Sequence, residues 1–213
     1  MNTKRKLSLA AAAAALACAS LGAQAATCPS GNLVTNCGFE AGDFSSWTLS
    51  GVDVDAGTEG NLYGVEGGDP FGPGPHSGDS QAYFADQVAN TTTMSQSIAT
   101  TAGTSYTVSF WLAEATDGPG TNNNKFTASF GGAALTPLTN VSDQGYTEYT
   151  FSGIGSAGST LLSFTFGNDV GQFQIDDIGV TGPAPAVPEP TSLALFGLGA
   201  LALAARRKVF GKR

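Results

Sequence analysis

The sequence predicts an all-β protein, an antiparallel β-sandwich of jelly-roll type, and three observations lead there. Apolar residues in its middle recur at every second position rather than at the 3.6-residue spacing of a helix. The alternating runs are short and bounded by Gly, Pro, Asn, Asp or Ser, in a chain of 213 residues with 29 Gly and 10 Pro. No central stretch carries a helical pattern, so many short strands must bury their apolar faces against one another, as two packed sheets do.

The strands are expected at Gln81–Phe84, Met94–Ile98, Tyr106–Leu112, Phe126–Phe130, Tyr146–Phe151, Leu161–Phe166 and Phe173–Val180. The third is the clearest, with Tyr106, Val108, Phe110 and Leu112 alternating with Thr107, Ser109 and Trp111. Val52 and Val54 alternate with Asp53 and Asp55 as a half-exposed strand. Gly64–Gly78, which holds the lone histidine His76, reads as a long ordered loop, and such loops at sandwich ends often carry function. Ile175 and Ile178 break the alternation at Asp176-Asp177, so a bulge should turn a carboxylate inward or onto an edge.

Both ends stand apart from this domain, expected to span residues 26–181. Lys4-Arg5-Lys6, an Ala/Leu run from Leu7 to Leu21 and Ala23-Gln24-Ala25 form a secretory signal peptide, residues 1–25. Residues 182–187 alternate Pro and Ala, a stiff spacer. Beyond it Pro188-Glu189-Pro190 precedes an uncharged run, Thr191–Ala205, and then Arg206-Arg207-Lys208. As a single transmembrane helix, 191–205 would rise ~22 Å against a hydrocarbon core of ~30 Å, short for a permanent anchor. The basic end would stay in the cytoplasm, placing everything before Pro188 outside. The two prolines keep that border extended and accessible to a protease.

Motif, apolar span and basic end, in that order over residues 188–213, resemble the PEP-CTERM sorting signal. The resemblance implies a Gram-negative bacterium, a transient stay in the inner membrane and removal of the tail near Pro188-Glu189-Pro190 by the membrane enzyme exosortase. It implies a final place at the cell surface or in the extracellular matrix. An ordinary single-span anchor is the alternative.

Eight of the 9 Lys and Arg lie in these terminal segments, leaving Lys125 alone in the domain, whereas only Glu189 of the 17 acidic residues lies outside it. The domain is therefore far more acidic than the whole-chain charge of −8, which excludes nucleic acid as a partner. Its two cysteines, Cys28 and Cys37, are an even pair in an exported chain and are expected to form a disulfide.

Asn32–Glu40 with Trp47, and Phe173–Val180, resemble the first and last strands of galactose-binding-like jelly rolls, the architecture of many carbohydrate-binding modules. His76-Ser77-Gly78, Ala82-Tyr83-Phe84 and Tyr106–Leu112 extend the resemblance over most of residues 32–180. It implies a structural Ca²⁺ held by Glu40 and Asp176, and a carbohydrate-binding or matrix-associated role with extracellular polysaccharide as the partner. Sugar sites need exposed aromatic faces. Trp47, Tyr63, Phe71, Trp111 and Tyr146 are the candidates; strand-spaced aromatics usually face the core, so Tyr63 and Phe71 are retained as the ligand-binding residues.

No catalytic residues are expected. Gly153–Gly158 fits G-x-G-x-x-G but lies between two strands, with no helix to present to a phosphate. Gly78–Ala82 mimics a nucleophile elbow, yet a strand follows where a helix is required. Asp53 and Asp55 fail the EF-hand pattern, with Gly57 at the third ligand position. The alternatives are a purely structural surface protein and a small glycoside hydrolase, which needs only two suitably spaced carboxylates.

Overall fold

The computed structural model describes residues 28–51, 62–68, 72–85, 88–89, 91–115, 123–134, 137–169 and 171–183. The expected signal peptide, all but the first two residues of the linker, the sorting motif and membrane helix, Phe71, and the Val52–Val54 strand lie outside the described residues. Among those described, no helix is long and apolar enough to cross a membrane.

The described residues hold eleven strands in order: β1 (Thr48–Ser50), β2 (Tyr63–Glu66), β3 (Gln81–Phe84), β4 (Thr92–Thr100), β5 (Ser105–Ala115), β6 (Asn124–Phe130), β7 (Ala133–Ala134), β8 (Leu138–Thr139), β9 (Gln144–Ile154), β10 (Gly158–Asn168) and β11 (Gln172–Thr181). They form two antiparallel sheets, a jelly-roll sandwich. One runs β1-β4-β10-β6-β7, with β8 also on β6; the other runs β2-β3-β11-β5-β9. Gly153–Gly158 runs from the end of β9 through the turn 155–157 to the first residue of β10, strand to strand, which disposes of a phosphate loop.

The period-2 pattern works as expected. Val108, Phe110 and Leu112 of β5, Phe126 and Phe130 of β6, and Phe164 and Phe166 of β10 point between the sheets and are fully buried. Phe84 of β3 and Phe166 of β10 stack across the sandwich at 3.9 Å and 4° between planes. Each such ring removes 150–250 Å² from water, so a core of eight fully buried phenylalanines supplies much of the folding free energy. One carboxylate enters this layer: Glu114 is fully buried and accepts hydrogen bonds from Asn124 Nδ2 (3.2 Å) and Asn168 Nδ2 (3.3 Å) of the opposite sheet.

Residues 32–40, which resemble a first strand, do not form one. Asn36 and Phe39 take left-handed backbone (φ 52° and 57°), so the segment turns instead of extending. It replaces β3 where β3 stops. β3 pairs with β11 only at Phe173, Gln174 and Ile175. Beyond them, Ile178 N donates to Cys37 O (2.9 Å), Leu33 N donates to Val180 O (2.9 Å), and the Asn32 side chain bonds both Ile178 O and Val180 N. Gln96 of β4 holds the same segment from the other sheet, exchanging hydrogen bonds with both N and O of Thr35 at 2.9 Å. Cys28 and Cys37 are joined by a disulfide, Cα atoms 6.2 Å apart, which closes the loop over this edge.

Candidate functional site

The change of partner along β11 leaves a gap in the ladder at Asp176-Asp177, and the site is built there. Pairing of β11 with β5 shifts register between Asp176 and Gly179, and Asp177 adopts φ 47°. This is a bulge. Asp176 lies opposite Trp111, on the sheet face turned away from the phenylalanine core. It is nonetheless fully buried, as are Gln81 and Gln174 on that face.

The cover is the loop Gly72–Ser80, fastened by three carboxylates. Glu40, exposed at the end of the 32–40 segment, accepts from Asp79 N (2.9 Å) and Ser80 N (3.0 Å). Asp176 Oδ2 accepts from Ser77 N (3.1 Å) and its Oδ1 from Asp177 N (2.7 Å). Asp177 accepts from Ser77 Oγ (2.7 Å) and lies 2.6 Å from His76 Nδ1. Two glycines let the loop lie this close. A Cβ at Gly72 would collide with the Gln174 side chain, and Gly78, at φ 67°, faces the Glu40 carboxylate.

The loop lays His76 on Trp111, ring centroids 3.8 Å apart and planes 15° apart, with Tyr146 edge-on at 5.4 Å. Tyr146 Oη donates to Gln81 Oε1 (2.5 Å), and Gln81 Nε2 donates to Pro73 O (3.2 Å) and Glu66 Oε1 (3.3 Å). An aromatic trio is thus ringed by amides and carboxylates. Burial, reinforced by Asp176, Asp177 and Glu66, keeps the Tyr146 phenol protonated and therefore a donor. Burial also pushes the Asp176 carboxyl up to about 7, with the charge of Asp177 adding to it and N–H groups of Ser77, Asp177 and His76 opposing it.

Glu40 and Asp176 therefore grip the same stretch, residues 77–80. Both are oxygen donors, the ligand type of Ca²⁺, which takes six to eight oxygens. Among the described residues no group of three or more His, Cys, Asp or Glu side chains is placed to share an ion. The two carboxylates fit Ca²⁺ only in a site completed by backbone carbonyls or water. Tyr63 is half-buried at the start of β2, its ring 6.2 Å from Phe44 and 6.3 Å from Phe84, on the core side of the sheet.

Trp111 and Tyr146, set aside as strand-spaced aromatics, lie on the non-core face, and parity is the signal that finds them. Trp111 is out of phase with Tyr106, Val108, Phe110 and Leu112, and Glu148, two residues from Tyr146, pairs with Trp111. No sequence signal joins His76 to Asp177, which is 101 positions away.

The fold is similar to that of a solved carbohydrate-binding module. A structure of TmCBM61 in complex with β-1,4-galactotriose matches over 71% of this chain and 98% of its own, with TM-score 0.55 and 22% identity. The bacteriophage CBA120 tailspike protein 4 enzymatically active domain matches over 71% of this chain, with TM-score 0.52 and 17% identity, and the match spans 21% of that chain. No curated protein matches this sequence. Outside the fold, residues 186–208 match the PEP-CTERM protein-sorting motif, the mark of an exported protein sorted by exosortase.

Proposed function

We propose that this protein is a non-enzymatic glycan-binding module displayed at the cell surface or in the extracellular matrix after exosortase removes its tail. One observation carries the binding reading: Trp111, His76 and Tyr146 cluster on the non-core face of the β2-β3-β11-β5-β9 sheet, edged by Gln81, Asp176 and Asp177. Apolar ring surface beside amide and carboxylate groups is what a saccharide requires, since its C–H faces stack and its hydroxyls exchange hydrogen bonds. The galactotriose held by the module of similar fold supports this class of ligand. Tyr63, on the core side at the edge of that sheet, and Phe71, outside the described residues, are proposed as further contacts separate from this cluster.

The test is a binding screen of the full chain against neutral oligosaccharides and polysaccharides, β-1,4-galactotriose first. Binding should weaken at least tenfold in Trp111→Ala while circular dichroism stays native. Tyr63→Ala and Phe71→Ala should weaken it too, each read beside its melting temperature because Tyr63 also packs on Phe44 and Phe84. No binding to any glycan would leave a structural surface protein, and release of reducing sugar would make it a hydrolase.

A structural Ca²⁺ held by Glu40 and Asp176 belongs to the same proposal. Ionising a fully buried carboxylate costs free energy that a bound cation offsets. A chelator should lower the melting temperature and Ca²⁺ restore it. An unchanged melt removes the ion from the account.

A further inference from the structure

We propose that His76 is the specificity-determining contact of this site, its Nε2 accepting a hydrogen bond from a hydroxyl of a neutral saccharide. The inference rests on the glycan-binding reading above and names the atom that does the selecting. Its basis is how completely the ring is oriented. Asp177 Oδ2 at 2.6 Å from Nδ1 makes that nitrogen the donor, so in the neutral ring Nε2 is the one with a free lone pair. Trp111 holds one face of the ring at 3.8 Å, and Tyr146 abuts it at 5.4 Å and 68°, so the imidazole is boxed in. Asp177 is itself fixed, only 4% exposed, with Ser77 Oγ on its other oxygen at 2.7 Å.

Nδ1 is taken by Asp177, while Nε2 makes no hydrogen bond among the described residues and the side chain is 27% exposed, which leaves this acceptor open to a ligand. An acceptor locked in direction by a carboxylate behind it and an indole beneath it is preorganised, and preorganisation is what raises affinity and selectivity in a binding site. The sign of the surroundings narrows the ligand. Asp176 and Asp177 flank the ring, Glu66 lies within reach of Tyr146, and Glu148 pairs with Trp111. Lys125, the domain's only Lys or Arg, is on β6 of the other sheet. Uronate or sulfated saccharides would meet these carboxylates with no Lys or Arg on this sheet among the described residues. Neutral hydroxyl donors suit both the acceptor and the charge.

The test compares the full-length chain with His76→Phe, which keeps a flat ring for Trp111 and removes Nε2. The ligands are β-1,4-galactotriose and further neutral oligosaccharides, each also as mono-O-methyl ethers that cannot donate from the methylated oxygen. We expect wild type to lose about tenfold on one particular methylation and His76→Phe to lose about tenfold on the parent sugar. The variant should be indifferent to that same methylation. This double comparison survives a variant that is merely less stable. Equal affinity of wild type and His76→Phe, or equal sensitivity of both to every methylation, overturns the assignment and leaves the glycan reading standing. Wild type binding no neutral glycan overturns that reading and this inference with it.

Discussion

Replacing Asp176 by Asn should flatten the dependence of stability on pH, and the size of the effect follows from its burial. The carboxyl titrates at 3.8 when unhindered and is pushed up to about 7 in the fold, chiefly because it is wholly enclosed and secondly because Asp177 is adjacent. Between those limits the folded protein holds a proton that the unfolded chain has released. Its contribution to stability is therefore fully present below about pH 4 and is lost as pH rises toward 7. About three pH units at ~1.4 kcal/mol each amount to ~4 kcal/mol. Asparagine cannot ionise, and its cost in exchanging one acceptor oxygen for an amide is the same at every pH. Urea unfolding at pH 4 to 8 with chelator present, on wild type and Asp176→Asn, isolates the effect as a difference of slopes. The wild-type curve should fall by several kcal/mol relative to the variant between pH 4 and 7 and run parallel above 7. Curves parallel throughout would refute the claim that an ionised Asp176 is strained under this loop. If Ca²⁺ binds here, adding it should shrink the wild-type slope, because the ion favours the carboxylate.

Other perturbations probe the same scaffold. Gly78→Ala places a methyl group against the Glu40 carboxylate at a left-handed position, and should cost ~2 kcal/mol in a thermal melt; an unchanged melting temperature would show that Glu40 does not hold the loop. Reducing Cys28–Cys37, or replacing both by Ser, should cost ~2–3 kcal/mol by chemical denaturation, and equal stability would mean that the segment beside β11 is held by its hydrogen bonds alone. Phe166→Ala removes a fully buried ring stacked on Phe84 and should cost ~3–5 kcal/mol; a loss under 1 kcal/mol would contradict the inter-sheet packing.

The sandwich was legible because long strands such as β4, β5, β6 and β10 write their burial in period 2, as Tyr106 to Leu112 does, and a half-buried strand has no other way to separate its faces. β1, β2, β7 and β8 are two to four residues long, too short for any period to show. The bulge at Asp176-Asp177 was legible from broken alternation. Its carboxylate, however, turns away from the core, and what buries it is a loop a hundred residues distant in sequence. For the same reason Gln81 and Gln174 read as exposed strand residues yet are as enclosed as the phenylalanines. The aromatic trio was half legible. Parity puts Trp111 opposite the core side, but only the carboxylates on residues 77–80 show that His76 lies over it. Residues 32–40 read as a strand only through the resemblance to the first strand of galactose-binding-like jelly rolls; the positive φ at Asn36 and Phe39 leaves no mark in the residue pattern.

The most direct test of the glycan-binding face is an NMR titration of the isotope-labelled protein with the best neutral oligosaccharide. The Trp111 indole N–H, the His76 ring and the amides of residues 77–81, 146 and 174–177 should shift together and saturate with one dissociation constant. Shifts confined to β4, β6 and β10 on the opposite sheet, or none at any concentration, would contradict the account.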